Sequence, residues 1–131
     1  MRLLLVATLA AGCSRGPAQS TSVEQNLRHI GMAYDQTSKK DGRLPRNTED
    51  LKPALQRFGD PEAILVSPND GQPFVIHWGI SIFRPGPTRG VFPILAHEAI
   101  GVDGKKYVLD NMLGVRQMTE AELDQALRAN K

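Results

Sequence analysis

The chain has 131 residues, 40% of them hydrophobic, with 16 lysines and arginines against 14 aspartates and glutamates. So even a balance offers no dense basic face for nucleic acid, and so ordinary an apolar content excludes wholesale disorder. The length suits one modest domain, and a single cysteine excludes a disulfide framework within the chain.

Met1-Arg2-Leu3-Leu4-Leu5-Val6-Ala7-Thr8-Leu9-Ala10-Ala11-Gly12-Cys13 carries one positive charge, then a run of mostly apolar and small side chains, then the cysteine. That order is the charged, apolar and small-residue sequence of a secretory signal. The run is too short for a span, because a bilayer core needs roughly 20 apolar residues as a helix. Ser14, Arg15, Gly16, Pro17, Gln19 and Ser20, which follow, are polar or helix-breaking. Leu9-Ala10-Ala11-Gly12-Cys13 resembles the bacterial lipobox. The thiol there takes a thioether-linked diacylglycerol, and its small neighbours let the peptidase approach the backbone. The freed amino group is then acylated, typically by palmitate, and two or more chains hold where one is marginal, at about 0.8 kcal/mol per buried methylene.

Residues 1–12 are therefore expected to be a lipoprotein signal peptide and Cys13 the lipid attachment site. Residues 13–21 then form the lipidated cysteine and its tether, and 22–131 a single globular domain. Removal of Arg2 with the signal leaves 15 basic against 14 acidic side chains. Ordinary signal cleavage with a free thiol is the alternative, since Ala10 and Gly12 also satisfy the small-x-small rule.

A first helix is expected from Ser22, where Thr21 with Glu24 and Ser22 with Gln25 make overlapping capping boxes. Val23, Leu27, Ile30, Tyr34 and Thr37 fall on one helical face, and Asp41-Gly42 ends it. Gly31 weakens this helix by about 1 kcal/mol relative to alanine, so close packing must compensate. A second helix is expected over Asp50–Phe58, with Asn47, Thr48 and Asp50 all able to cap it, Leu51, Leu55 and Phe58 buried and Pro53 near its start. The period then changes to two: Phe74, Ile76, Trp78, Ile80 and Ile82 alternate with other residues as in a half-buried strand. Further strands are expected at Val91–His97, Lys106–Asp110 and Val115–Met118, linked by turns at Val102-Asp103-Gly104 and Asn111–Gly114. Thr119-Glu120-Ala121-Glu122 is a capping box, with Met118 and Leu123 as its hydrophobic staple, so a last helix runs to about Ala129. The order defines an α+β fold: a long amino-terminal helix on an antiparallel sheet of about four strands, with a short second helix and a carboxy-terminal helix.

Asn26-Leu27-Arg28-His29-Ile30-Gly31-Met32-Ala33-Tyr34 with Gly42-Arg43-Leu44-Pro45 resembles the opening of the pilin-like, type II secretion pseudopilin G-like domains abundant in planctomycetes. Ser67 to Phe74 resembles their middle segment. Leu95-Ala96-His97-Glu98, Gly104 to Leu109 and Val115 to Glu120 are similar to their closing meander and helix. Together the blocks touch most of residues 22–129, and the resemblance implies a pilin-head-like fold and an envelope or secretion-system protein partner. The chain departs from that group at its amino terminus. Polar residues follow Gly12, and Pro17 stands where pilins carry glutamate, so the apolar stem through which pilins polymerise is not expected.

The candidate chemistry is thin. His29, His77 and His97 fall on separate elements, and His97-Glu98 lacks the second histidine of a zinc-protease motif because Gly101 occupies that position. Ser81 in Gly79-Ile80-Ser81-Ile82-Phe83 lacks the second glycine of a nucleophile elbow. Gly86 and Gly90 open no helix that would cradle a phosphate. Asp103, Asp110 and Asn111 suit a calcium loop but suit ordinary turns better. Lys39, Lys40, Arg43 and Arg46 form a basic run that can touch anionic head groups, although solvated surface is the commoner use of such runs. Trp78 reads as core.

These residues point to an exported envelope protein held to a membrane through covalent lipid on Cys13, facing the periplasm or exterior. Its domain is expected to be a non-enzymatic structural or protein-interaction module with no catalytic residues, metal or cofactor, and no nucleic-acid partner. A periplasmic small-ligand or metal-binding lipoprotein is the alternative.

Overall fold

The structure is a computed structural model that describes residues 15–130, with side chains from Ser22 onward. Cys13 and the expected signal segment 1–12 lie outside the described residues. Val23, Leu27, Ile30, Tyr34 and Thr37 form the expected stripe on α1 (Arg15–Asp41), and all five are at most 6% exposed. The helix starts at Arg15, ahead of the expected Ser22, and so takes in most of the segment read from composition as tether. Pro17 is its third residue, within the first turn, where a missing N–H breaks no helical bond. Gly42, at φ +67°, ends it in the left-handed conformation.

The second helix, α2 (Thr48–Leu55), begins earlier than expected because Asn47 caps it, accepting the Asp50 N–H at 3.0 Å. Pro53 consequently lies in its second turn rather than its first, and the helix ends two residues later. Asp60 caps the single-turn helix α3 (Pro61–Ile64), which has proline at its first position.

Four antiparallel strands follow in sequential order: β1 (Val75–Ile76), β2 (Ile94–His97), β3 (Lys105–Asp110) and β4 (Val115–Thr119). The strand expected from Phe74 to Ile82 is cut to two residues. Gly79 turns the backbone at φ +82°, and the Ile80 N–H is taken by the Tyr34 hydroxyl at 3.0 Å instead of a neighbouring strand. Its alternating side chains still serve the core: Ile76, Trp78, Ile80 and Ile82 all pack against the α1 side. Leu95 forms a bulge, since Ile94 pairs with Asp110 and Ala96 with Leu109.

The pleat divides the sheet between two cores. Leu95, Ala96, Tyr107 and Leu109 face α1, α2 and α3, whereas Ile94, Val108 and Met118 face α4 (Glu120–Ala129). Each fully buried leucine or isoleucine contributes roughly 1.5–3 kcal/mol of transfer free energy to this arrangement. Thr119 and Glu122 make both halves of the expected capping box, and Met118 and Leu123 share one core as the staple requires. The α1 helix passes so close to β3 that a Cβ on Gly31 would lie 2.5 Å from Leu113 and 3.2 Å from Leu109. That approach explains a glycine in mid-helix. Among the described residues, no helix is long and apolar enough to cross a membrane.

Candidate functional site

The α4-facing side of the sheet carries the groups best placed for chemistry. His97 pairs across the ladder with Val108 on β3 and Val75 on β1, so its ring stands on that side. His77 lies two residues beyond Val75, held by its N–H to the Leu95 carbonyl at 2.8 Å, and its ring returns to the same side. The two Nε2 atoms meet at 3.0 Å, with ring centroids 5.0 Å apart. His97 Nδ1 lies 2.8 Å from the Glu98 carbonyl, an acceptor only, so Nδ1 carries the proton. In the neutral pair His97 Nε2 is then the acceptor and His77 Nε2–H the donor.

Burial pushes the His77 imidazole below its usual range, and any charge on His97 pushes it further. His97 is also lowered, first by burial and then by the Lys106 ammonium, against the opposing pull of the Glu98 carbonyl and Glu120. Both rings are therefore neutral at pH 7. A groove of about 390 Å³ opens beside them, with His77, Trp78 and Ile80 on one wall and Asp124, Leu127 and Arg128 of α4 on the other. Lys106, whose charge acts on His97, is bonded to Glu120 at 2.6 Å.

Three other buried polar side chains act as braces. Glu98 is fully buried; Oε1 accepts the Tyr107 N–H at 2.8 Å and Oε2 accepts the Ser67 hydroxyl at 2.7 Å. Asp110 accepts the N–H groups of Met112 and Gly114, at 2.8 and 3.0 Å, and Arg116 at 3.2 Å, which closes the β3–β4 turn. Asn111, also fully buried, donates to the Ser81 and Arg84 carbonyls, while its backbone bonds Pro93 and Phe83. Around it stand Phe83, Phe92 and Met112, which are 52%, 41% and 44% exposed. Phe83 adopts φ +61°, a left-handed conformation uncommon for so large a side chain.

The remaining candidates disperse. His29 stacks on Phe58 at 4.3 Å and belongs to the α1–α2 contact. Asp103 and Asp110 sit at opposite ends of β3 and cannot share a calcium ion; Asp103 and Gly104, at φ +54° and +74°, form the tight β2–β3 turn. Of the basic run, Lys39 pairs with Asp35 at 2.9 Å and Arg43 approaches Asp50 at 3.8 Å. Lys39 and Lys40 also complement the negative end of α1. The adjoining groove of about 720 Å³ mixes these lysines with Asp41, Glu49 and Asp50, so it presents no single-signed surface to a head group. Trp78 is half-buried against the core and stacks 6.2 Å from Tyr34. Among the described residues, no cluster of three or more His, Cys, Asp or Glu side chains is placed to hold a metal ion.

What sequence reasoning missed is the histidine pair. Each ring is outward in its own alternation, but their meeting depends on the β1–β2 register, which the long connection over residues 77–93 conceals.

The geometry defines an α+β domain with helices on both faces of a four-stranded antiparallel meander and one histidine pair beside a groove. Compared with known protein families, curated proteins and solved structures, the chain finds no match.

Proposed function

We propose that the chain is an exported envelope protein anchored by lipid on Cys13, whose pilin-like domain is a non-enzymatic structural or protein-interaction module. The observation that carries the anchor is the sole cysteine standing directly after Leu9-Ala10-Ala11-Gly12 and a short apolar run. The interaction role is supported by how the domain uses its polar groups: Glu98, Asp110 and Asn111 hold loops in place rather than converge on an open cleft. The loops that Asn111 holds turn Phe83, Phe92 and Met112 toward solvent, and exposed apolar side chains held on rigid loops suit contact with a protein partner.

Metabolic labelling with a fatty-acid analogue in an exporting bacterium tests the anchor. Wild type is expected to take up label and sediment with membranes, and Cys13→Ser is expected to do neither. Equal labelling of the two proteins would refute it. A second reading, a periplasmic small-ligand or metal-binding lipoprotein, is favoured by one observation, the His77–His97 pair beside its groove.

A further inference from the structure

We propose that His77 and His97 form a two-imidazole chelate for a divalent transition metal of the copper or nickel kind, their Nε2 atoms filling adjacent coordination positions and water the rest. The inference gives chemical content to the second reading above and is independent of lipid on Cys13.

The distance is the first reason. Two imidazole nitrogens, each about 2.05 Å from a metal and about 90° apart, stand about 2.9 Å from one another; a tetrahedral angle sets them about 3.3 Å apart. The observed 3.0 Å lies near the right-angle value. That angle belongs to square-planar, tetragonal or octahedral ions, and Cu²⁺ binds such nitrogen sites most tightly of the first-row series. In the observed contact His77 carries its proton on Nε2, so metal binding moves that proton to Nδ1 by exchange with water; both rings stay neutral and turn so that their Nε2 lone pairs meet at the metal.

The second reason is the buttress. His97 Nδ1–H donates to the Glu98 carbonyl at 2.8 Å, which fixes the tautomer that leaves Nε2 as a ligand. Glu98 is itself locked by Tyr107 and Ser67. His77 is tied through its backbone to Leu95. His97 is therefore held at the end of β2 and His77 one residue beyond β1, so the two ligands are brought side by side before a metal binds. Access is the third reason: His77 lines the groove, where water can reach the open positions and Asp124 supplies a carboxylate on the facing wall. Lys106 does not oppose a cation strongly, since Glu120 neutralises it at 2.6 Å.

The test uses the full chain carrying Cys13→Ser, so that the only thiol does not compete for metal. Calorimetric titration with Cu²⁺, and separately with Ni²⁺, is expected to show one saturable site. His77→Gln and His97→Gln should each weaken it by about tenfold or more, and His29→Gln should leave it unchanged. Paramagnetic resonance of the Cu²⁺-loaded protein should show hyperfine splitting from two imidazole nitrogens, a readout that needs no variant to fold. The absence of saturable binding, undiminished affinity in either glutamine variant, or splitting from one nitrogen would overturn the chelate. None of these outcomes bears on fatty-acid labelling of Cys13, so failure of either proposal is read separately.

Discussion

Glu98→Ala is the perturbation that most directly tests how the domain is braced. The carboxylate is fully buried and has two donors, the Tyr107 N–H at 2.8 Å and the Ser67 hydroxyl at 2.7 Å. Alanine leaves both donors in the interior without a partner, at about 1–3 kcal/mol each, and opens a cavity besides. A loss of about 3–5 kcal/mol is expected. At about 4 °C per kcal/mol for a domain of this size, the melting temperature falls by roughly 12–20 °C. Glu98→Gln is the informative companion. Its carbonyl still accepts the Tyr107 N–H, but its amide must donate to Ser67 Oγ, which already accepts the Asn69 N–H at 3.2 Å. The hydroxyl has lone pairs for both, so only its own hydrogen and the charge assistance are lost, about 1–2 kcal/mol.

Urea unfolding at pH 7 of wild type, both variants and Ser67→Ala measures these differences, and the Ser67→Ala/Glu98→Gln double variant measures their coupling. An alanine variant within 1 kcal/mol of wild type, or a glutamine variant as unstable as alanine, would refute the bracing role.

Two further outcomes follow from neighbouring contacts. Gly101→Ala should cost at least about 3 kcal/mol, because φ is +77° and the new Cβ would lie 2.1 Å from the Lys105 carbonyl oxygen; a melting temperature unchanged by the substitution would contradict this geometry. Asp70 is raised by burial but lowered more by the N–H groups of Gly101, Gln72 and Ile100, so its folded carboxyl lies below the usual value near 3.9. The stability it contributes is therefore present above that pH and lost as pH falls through the lowered folded value. Wild type and Asp70→Asn should differ at pH 7 and converge near pH 2; a gap independent of pH would refute the assignment.

Local chemistry made the helices legible. The five-residue stripe of α1 recurs every three or four residues and the Thr119–Glu122 capping box lies within one turn, and both stand as expected. Where a long-range partner intervened, local reading failed. The alternation from Phe74 to Ile82 is a true burial pattern, yet only Val75–Ile76 forms strand, because the Tyr34 hydroxyl on a helix captures the Ile80 N–H. The start of α2 failed for a local reason instead: Pro53 suggested a start at Asp50, but the cap by Asn47, worth about 1 kcal/mol and only three residues from Asp50, places it at Thr48.

The candidate site shows the same limit more sharply. His77 and His97 are twenty residues apart, His77 just beyond β1 and His97 at the end of β2, and the β1–β2 pairing that joins them is not set by their own side chains. A slip of one residue in the β1–β2 register would send the His77 ring to the α1 face, where Ile76 now packs, and the pair would not exist. Register here is held by burial on both faces, Ile76 and Ala96 toward α1, Ile94 and Val108 toward α4, so the apolar residues fix the geometry of the polar ones. The histidines specify little of the fold that brings them together; it is the alternation around them that sets their 3.0 Å separation.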